Sequence, residues 1–251
     1  MAFVTVDGIR FHVQRLSGSA STGIPVVMAH GLFSGSLASW FFTSAPLLAR
    51  HHPVFLYDLR GHGRTDRPAT GYSSSIQAGD LDALTADLPP FVLVGHSFGS
   101  VVAVRFARRH PDRVAALALV EPPLVSDDGR VWWSVSRREV AAMARADQQP
   151  RRAAASQRLI AETTMVDELR REPPVSDADL AALPSSLLVA FGRRSPAVEA
   201  ADRVRRVRPD ADVRLFDGGH SLHVDCTAEL TASLLDLATG ADETASEVAY
   251  G

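Results

Sequence analysis

The chain has no lysine and no asparagine; all 26 of its basic residues are arginine. Without lysine there can be no Schiff base on an ε-amine. Nor can there be a P-loop, whose lysine reaches the β- and γ-phosphates. Without asparagine there is no acceptor for N-glycosylation. Both absences fit codon usage in a GC-rich genome. The single cysteine, Cys226, excludes an internal disulfide and a zinc site built from several thiolates. No apolar run approaches the roughly 18 residues that a membrane span needs. Met1 to Val6 lacks the basic-then-apolar pattern of a secretion signal. The expected location is therefore cytoplasmic, with no membrane partner. A net charge of −3 argues against a nucleic-acid partner, which would call for a strongly basic domain.

What is present is an ordinary globular composition. Apolar residues make up 46% of the 251, aromatics 7% and charged residues 22%. That is enough for one large core, as a single domain or a domain with an insertion.

Short β-rich runs alternate with amphipathic stretches. Phe3–Val6 and Arg10–Gln14 flank Asp7-Gly8, a strong hairpin signal. Val26–Ala29, Val54–Tyr57, Phe91–Val94, Ala116–Val120, Leu187–Phe191 and Val213–Phe216 are continuous apolar runs. Runs of this kind suit strands buried on both faces of a parallel sheet. Between them, Leu37–Ala49, Ile76–Ala86, Ser97–Arg109, Ala197–Val207 and Ala228–Ala238 carry helical patterns. The alternation predicts an α/β, doubly wound sheet. Ligands of such sheets bind beyond the carboxyl ends of the strands.

One segment breaks the rhythm. Pro122 to Pro184 has no convincing strand and is punctuated by Pro122-Pro123, Pro150 and Pro173-Pro174. A connection of about 60 residues is far longer than an ordinary loop. It reads as a helical lid, residues 122–184, inserted into a core of residues 1–121 and 185–240. Residues 241–251, small and polar, read as a frayed tail.

Gly95-His96-Ser97-Phe98-Gly99 fits G-x-S-x-G, directly after a strand run and at the start of a helical one. A sharp strand-to-helix turn crowds the backbone, and the flanking glycines relieve that crowding. The turn raises the Ser97 hydroxyl above the sheet, with a helix start behind it. A serine needs a base to attack at neutral pH. Of nine histidines, His220 in Gly218-Gly219-His220 follows the last strand run and is the candidate. His223 falls in the next helical stretch. His96 belongs to the elbow and would point away from the Ser97 hydroxyl. His30 and His62 belong to other turns, and His51, His52 and His110 look like solvated helix ends.

Four pieces together resemble the α/β-hydrolase fold family. They are His30-Gly31, Asp58-Leu59-Arg60-Gly61-His62-Gly63, the Ser97 elbow and Gly219-His220, in an order that spans most of the chain. The resemblance implies a mostly parallel eight-stranded sheet with flanking helices. It also implies an oxyanion hole from the N–H groups of Phe98 and Leu32, with Gly31 a possible substitute for Leu32. The family usually places its acid in a G-x-x-D turn after the seventh strand. Here that turn reads Gly192-Arg193-Arg194-Ser195-Pro196, and Ser195 has no charge with which to hold an imidazolium. Some members carry the acid one strand earlier, where this sequence has Glu121-Pro122-Pro123. Glu121 is therefore the candidate acid, with Glu199, Asp202 and Asp127 as rivals. The Arg60–Arg67 turn is read as structural. Trp132 and Trp133 would line a pocket under the lid or pack the lid on the core; Gly31 and Phe33 are further candidates for substrate contact.

The resemblance implies a cofactor-free, metal-free serine hydrolase acting on a small-molecule ester or lactone. The early acid and moderate lid are similar to the zearalenone-opening lactonases. Carbon–carbon bond hydrolysis, a thioesterase or cyclase step, and a non-catalytic small-molecule-binding role share the same features. The sequence is compatible with an oligomer.

Overall fold

The computed structural model describes residues 2–19, 21–33, 35–125 and 150–250, with side chains as far as residue 244. The apolar runs become eight strands of one sheet: β1 (Ala2–Val6), β2 (Ile9–Leu16), β3 (Val26–Ala29), β4 (Val54–Tyr57), β5 (Phe91–His96), β6 (Val114–Val120), β7 (Leu187–Gly192) and β8 (Asp212–Phe216). The order across the sheet is β1-β2-β4-β3-β5-β6-β7-β8. β2 runs antiparallel to both β1 and β4; the other pairings are parallel. Asp7 and Gly8 both have positive φ, 47° and 77°. That is the geometry of the tight turn whose twist matches its two strands.

Period-two alternation explains why the central strands are apolar throughout. Val27, Leu93, Leu117 and Val189 point to one face, where they pack with α3 (Ser74–Leu84) and α4 (Phe98–Arg109). Met28, Val94, Ala118 and Leu188 point to the other. There they meet α1 (Ala38–Phe41), α2 (Ala45–Leu48) and the C-terminal helix. β5, central in the sheet, is buried along its whole length and carries the elbow at its carboxyl end.

Three helices lie between β6 and β7 among the described residues: α5 (Pro150–Glu162), α6 (Met165–Arg170) and α7 (Asp177–Ala181). Leu159, Ile160, Met165 and Val166 form a separate small core with Tyr72, against which Leu32 and Phe33 pack. Leu159, Ile160, Met165 and Val166 lie within the segment read from the sequence as a helical insertion. The end of the segment differs from the expectation, because Val175, Leu180 and Leu183 belong to the main core. Apolar burial in that cluster groups residues 175–183 with the main core.

Two other segments depart from the expected helices. Residues 37–49 form two short helices instead of one. In the second half, a 3-10 turn, Pro196–Ala200, precedes α8 (Ala201–Val207). After α9 (Leu222–Asp225), α10 runs from Thr227 to Tyr250, through the segment expected to fray. Tertiary contact accounts for the extension. Ala238 and Ala241 are buried. Asp242 accepts the Ile24 N–H at 2.5 Å and lies 3.5 Å from His52.

Candidate active site

β5 ends at His96, α4 begins at Phe98, and Ser97 joins them at φ 53°, ψ −122°. A non-glycine residue in that region costs about 1–3 kcal/mol of strain, which the surroundings must hold. They do so with several bonds. Ser97 N–H donates to Val120 O at 2.9 Å, and Ser100 Oγ donates to Gly95 O at 2.7 Å. A Cβ at Gly95 would sit 2.4 Å from the Gly99 carbonyl, so only glycine fits there.

The elbow presents Ser97 Oγ to His220 Nε2 at 3.0 Å. On the far side of the ring, Nδ1 lies 2.9 Å from Glu121 Oε2. A carboxylate only accepts, so Nδ1 carries the proton and Nε2 keeps a lone pair for the serine hydroxyl. Glu121 is fully buried, whereas the His220 side chain keeps 36% of its surface. The carboxylate is thus dry and the imidazole reachable.

Glu121 follows β6 at φ 54°, its N–H donating to Ala190 O at 2.8 Å. Its Oε1 accepts the Gly192 N–H and its Oε2 accepts the Ser195 hydroxyl. The rivals lie elsewhere. Glu199 is exposed, and Asp202 is exposed and paired with Arg205 at 2.9 Å. Asp127 lies outside the described residues, as do Trp132 and Trp133.

The His220 loop is tied down twice. Gly219 N–H donates to Asp225 Oδ2 at 2.7 Å, and His96 Nε2–H donates to the His220 carbonyl at 2.8 Å. Burial holds His96 well below the usual imidazole range, and nearby His223 and His220 add to that. It is therefore a neutral donor, directed at the loop rather than at Ser97. His223 is buried beside it, its rings 4.7 Å apart, and burial pushes it down to about 4.

Gly31 to Phe33 form the opposite wall. A Cβ on Gly31 would lie 3.0 Å from Ser97 Cβ, so this loop runs directly past the elbow serine. Two histidines brace it. His30 Nδ1–H donates to Gly31 O at 2.6 Å while its Nε2 accepts Leu59 N–H at 3.0 Å. His62 Nδ1–H donates to Arg60 O at 2.8 Å while its Nε2 accepts Phe33 N–H at 2.9 Å. Both rings are neutral. Burial lowers His30, and burial with the neighbouring His30 pushes His62 down to about 3. The Phe33 N–H is therefore occupied. Leu32 N–H has no partner among the described residues, and neither does Phe98 N–H, which as the first residue of α4 has no carbonyl within its helix. These two amides flank Ser97 with free donors.

Three supports of the site are not legible in the sequence. Ser195 carries no charge, yet its hydroxyl donates to Glu121. His30 and His62 lie in separate turns, yet both hold the wall beside Ser97. Away from the site, His52 is buried rather than solvated, with Nδ1 3.2 Å from Ile24 O. Only the spacing of charged and polar residues around glycine-rich turns hints at these roles. The Arg60–Arg67 turn is held by a buried pair in which Arg60 Nη2 meets Asp80 Oδ1 at 2.6 Å. Asp58 adds to it by accepting Arg64 N–H at 2.9 Å and Leu37 N–H at 2.7 Å.

Among the described residues, no three His, Cys, Asp or Glu side chains are grouped to hold a metal ion. None of their helices is long and apolar enough to cross a membrane.

A non-heme chloroperoxidase from Streptomyces lividans is 40% identical over 108 residues, 41% of this chain and 39% of that protein. A putative 2-succinyl-6-hydroxy-2,4-cyclohexadiene-1-carboxylate synthase from Bacillus subtilis is 38% identical over 117 residues, 45% of this chain and 41% of that protein. The chain thus matches less than half the length of these curated relatives. Among solved structures, the enol-lactonase from Burkholderia xenovorans LB400 has a TM-score of 0.74 at 20% identity, covering 95% of this chain and 100% of its own. An N-acyl homoserine lactone degrading enzyme has 0.73 at 22%, covering 93% and 98%. At such identities the likeness is one of fold. Residues 24–180, well over half the chain, match the alpha/beta hydrolase fold family, and with the sheet order and elbow above the chain belongs to that family.

Proposed function

We propose that the protein is a serine hydrolase that cleaves a carboxylic ester or a lactone through an acyl-enzyme on Ser97. The observation that carries this reading is the unbroken relay from Glu121 Oε2 to His220 Nδ1 and from His220 Nε2 to Ser97 Oγ, at 2.9 and 3.0 Å.

In this reading Ser97 Oγ attacks the carbonyl carbon as His220 Nε2 takes its proton. The imidazolium is held by the buried Glu121 carboxylate. Negative charge on the former carbonyl oxygen meets the N–H groups of Leu32 and Phe98, each worth about 3 kcal/mol in such a site. His220 then returns the proton to the leaving alkoxide oxygen, giving an alcohol. In a lactone that alcohol stays on the acyl chain. Water, deprotonated by the same imidazole, attacks the acyl-enzyme and frees the carboxylic acid. Every step uses groups of this chain and water.

An acid at the sixth strand, as in the zearalenone-type lactonases that the sequence resembles, favours a lactone or aromatic polyketide ester. Leu32 and Phe33, half-buried against the lid cluster, give the wall beside Ser97 an apolar character suited to such an acyl group.

The test is a chain-length series of p-nitrophenyl esters with a panel of lactones, followed by intact-mass analysis during turnover. The expected result is hydrolysis together with an acyl adduct on Ser97. Both vanish in Ser97→Ala, with a loss of about a million-fold. A folded wild type that turns over nothing and accepts no acyl group would instead favour a non-catalytic binding protein.

A further inference from the structure

Three donors meet on the Glu121 carboxylate, and the proposed reaction uses one of them. His220 Nδ1–H and the Ser195 hydroxyl share Oε2; Gly192 N–H takes Oε1. Ser195 is 3% exposed and Glu121 0%, so no bulk water competes for these contacts. The direction of the serine proton is also fixed. Ser195 Oγ accepts Ala197 N–H at 3.2 Å, at the start of the Pro196–Ala200 turn. With a lone pair committed there, its single proton is directed at Glu121.

We propose that Ser195 is a positioning residue for the proton relay: its hydroxyl fixes the Glu121 carboxylate in the orientation that meets His220 Nδ1 and carries part of the charge on the oxygen they share. The proposal rests on the serine-hydrolase reading and goes beyond it, since Ser195 touches neither substrate nor any reacting atom. The turn after β7 offers no carboxylate of its own to the site; it steadies the one supplied by β6.

The physical consequence is specific. A donor on Oε2 spreads its negative charge and weakens its pull on the imidazolium. Without that donor, Oε2 binds the imidazolium more strongly, and the carboxylate gains freedom to rotate away. The acid limb of the reaction, where His220 must lose its proton, then moves to higher pH. The plateau rate falls through misorientation. Several groups lie near His220 among the described residues. Glu121 and Ser97 contact it, the neutral His96 ring lies 5.1 Å away, and His223 lies behind. Asp225 engages the preceding Gly219 N–H. Arg152 of α5 acts on His223. On the β7 turn, Arg193 is exposed and Arg194 pairs with the exposed Asp217. Of these groups, Glu121 is the one to which the Ser195 hydroxyl donates.

The experiment measures the rate of Ser97 labelling by a fluorophosphonate against pH, which needs no known substrate. It compares wild type with Ser195→Ala, Ser195→Cys and Ser195→Thr, with thermal unfolding of each protein alongside. Wild type is expected to label at Ser97. In Ser195→Ala and Ser195→Cys the acid limb should rise by roughly half a pH unit and the plateau fall about tenfold. Ser195→Thr, which keeps the hydroxyl, should restore both. Cysteine fills the space with a weak donor, so it keeps the test valid where alanine fails to fold. Folded Ala and Cys variants with the wild-type limb would overturn the role of Ser195, as would a plateau that falls only with the folded fraction. Absence of Ser97 labelling in folded wild type would instead overturn the hydrolase reading, and this proposal with it.

Discussion

Ser97 and His220 stand out in the sequence because each combines a reactive side chain with glycine neighbours at a strand end. Glu121 is legible only through the family resemblance: the turn where the family usually carries its acid has Ser195 here, and some members carry the acid one strand earlier, where this sequence has Glu121 next to two prolines. What the sequence hides is how these groups are held. Gly192 and Ser195 follow Glu121 by 71 and 74 residues and meet it only through the pairing of β6 with β7. Likewise, the roles of His30 and His62 depend on which lone pair faces which amide, and no spacing rule reports that. The close pass of residue 31 gives a direct prediction. In Gly31→Ala the new methyl would lie 3.0 Å from Ser97 Cβ and 3.1 Å from His96 Nδ1, so the loop must shift by a few tenths of an ångström. Displaced donors should lower kcat by about tenfold or more, with a smaller change in KM, in steady-state hydrolysis of the best ester. Unchanged kcat would show that the 31–33 wall is not part of the oxyanion site.

At the scale of elements, the strands were the most legible part, because burial on both faces demands unbroken apolar runs. Helices that depend on tertiary anchors were less so. Pro46 and the Thr43-Ser44 step divide the first helical stretch. At the other end, Asp242 and Ala241 carry α10 beyond Gly240. Helix α6 also has an anchor that the sequence does not reveal. Glu168 on α6 accepts N–H groups from Gly71, Tyr72 and Ser73 at 2.9, 2.7 and 3.0 Å, and Glu172 accepts from Ser74 at 2.9 Å. Burial works against the Glu168 charge, but these bonds and one from Thr164 outweigh it and hold the carboxyl below its usual range. Glu168→Ala should therefore loosen α6 from the 71–73 turn at a cost of about 1–3 kcal/mol. Hydrogen exchange in residues 150–170 should rise while the central strands stay protected. Equal exchange in both proteins would show that α6 is held by its apolar contacts alone.

For the whole molecule, one sheet with an apolar core on each face predicts a single cooperative unfolding transition. Charges inside that body matter through their partners. Arg60 and Asp80 are both buried, so Asp80→Ala leaves a guanidinium without its counter-charge and should cost about 3–5 kcal/mol in urea unfolding. The buried neutral histidines make stability depend on pH with a defined sign. His62 and His223 titrate at about 3 and about 4 when folded, against 6.5 for an ordinary imidazole. Below 6.5 the unfolded chain takes up protons that the folded one refuses. Their stabilisation is thus complete above 6.5 and is lost as pH falls through that window. The Tm should drop between pH 6.5 and 4, and His62→Gln should flatten the drop. A Tm constant across that range would contradict the assignment of neutral, buried rings.

The central claim is that Glu121, at the end of the sixth strand, is the acid of the Ser97–His220 relay. The measurement that addresses it most directly is kcat/KM of folded Glu121→Ala against wild type on the best substrate of the ester and lactone panel. The account predicts a loss of about a thousand- to ten-thousand-fold, with Ser97→Ala lower still. Wild-type activity in Glu121→Ala would contradict it and move the acid to another residue.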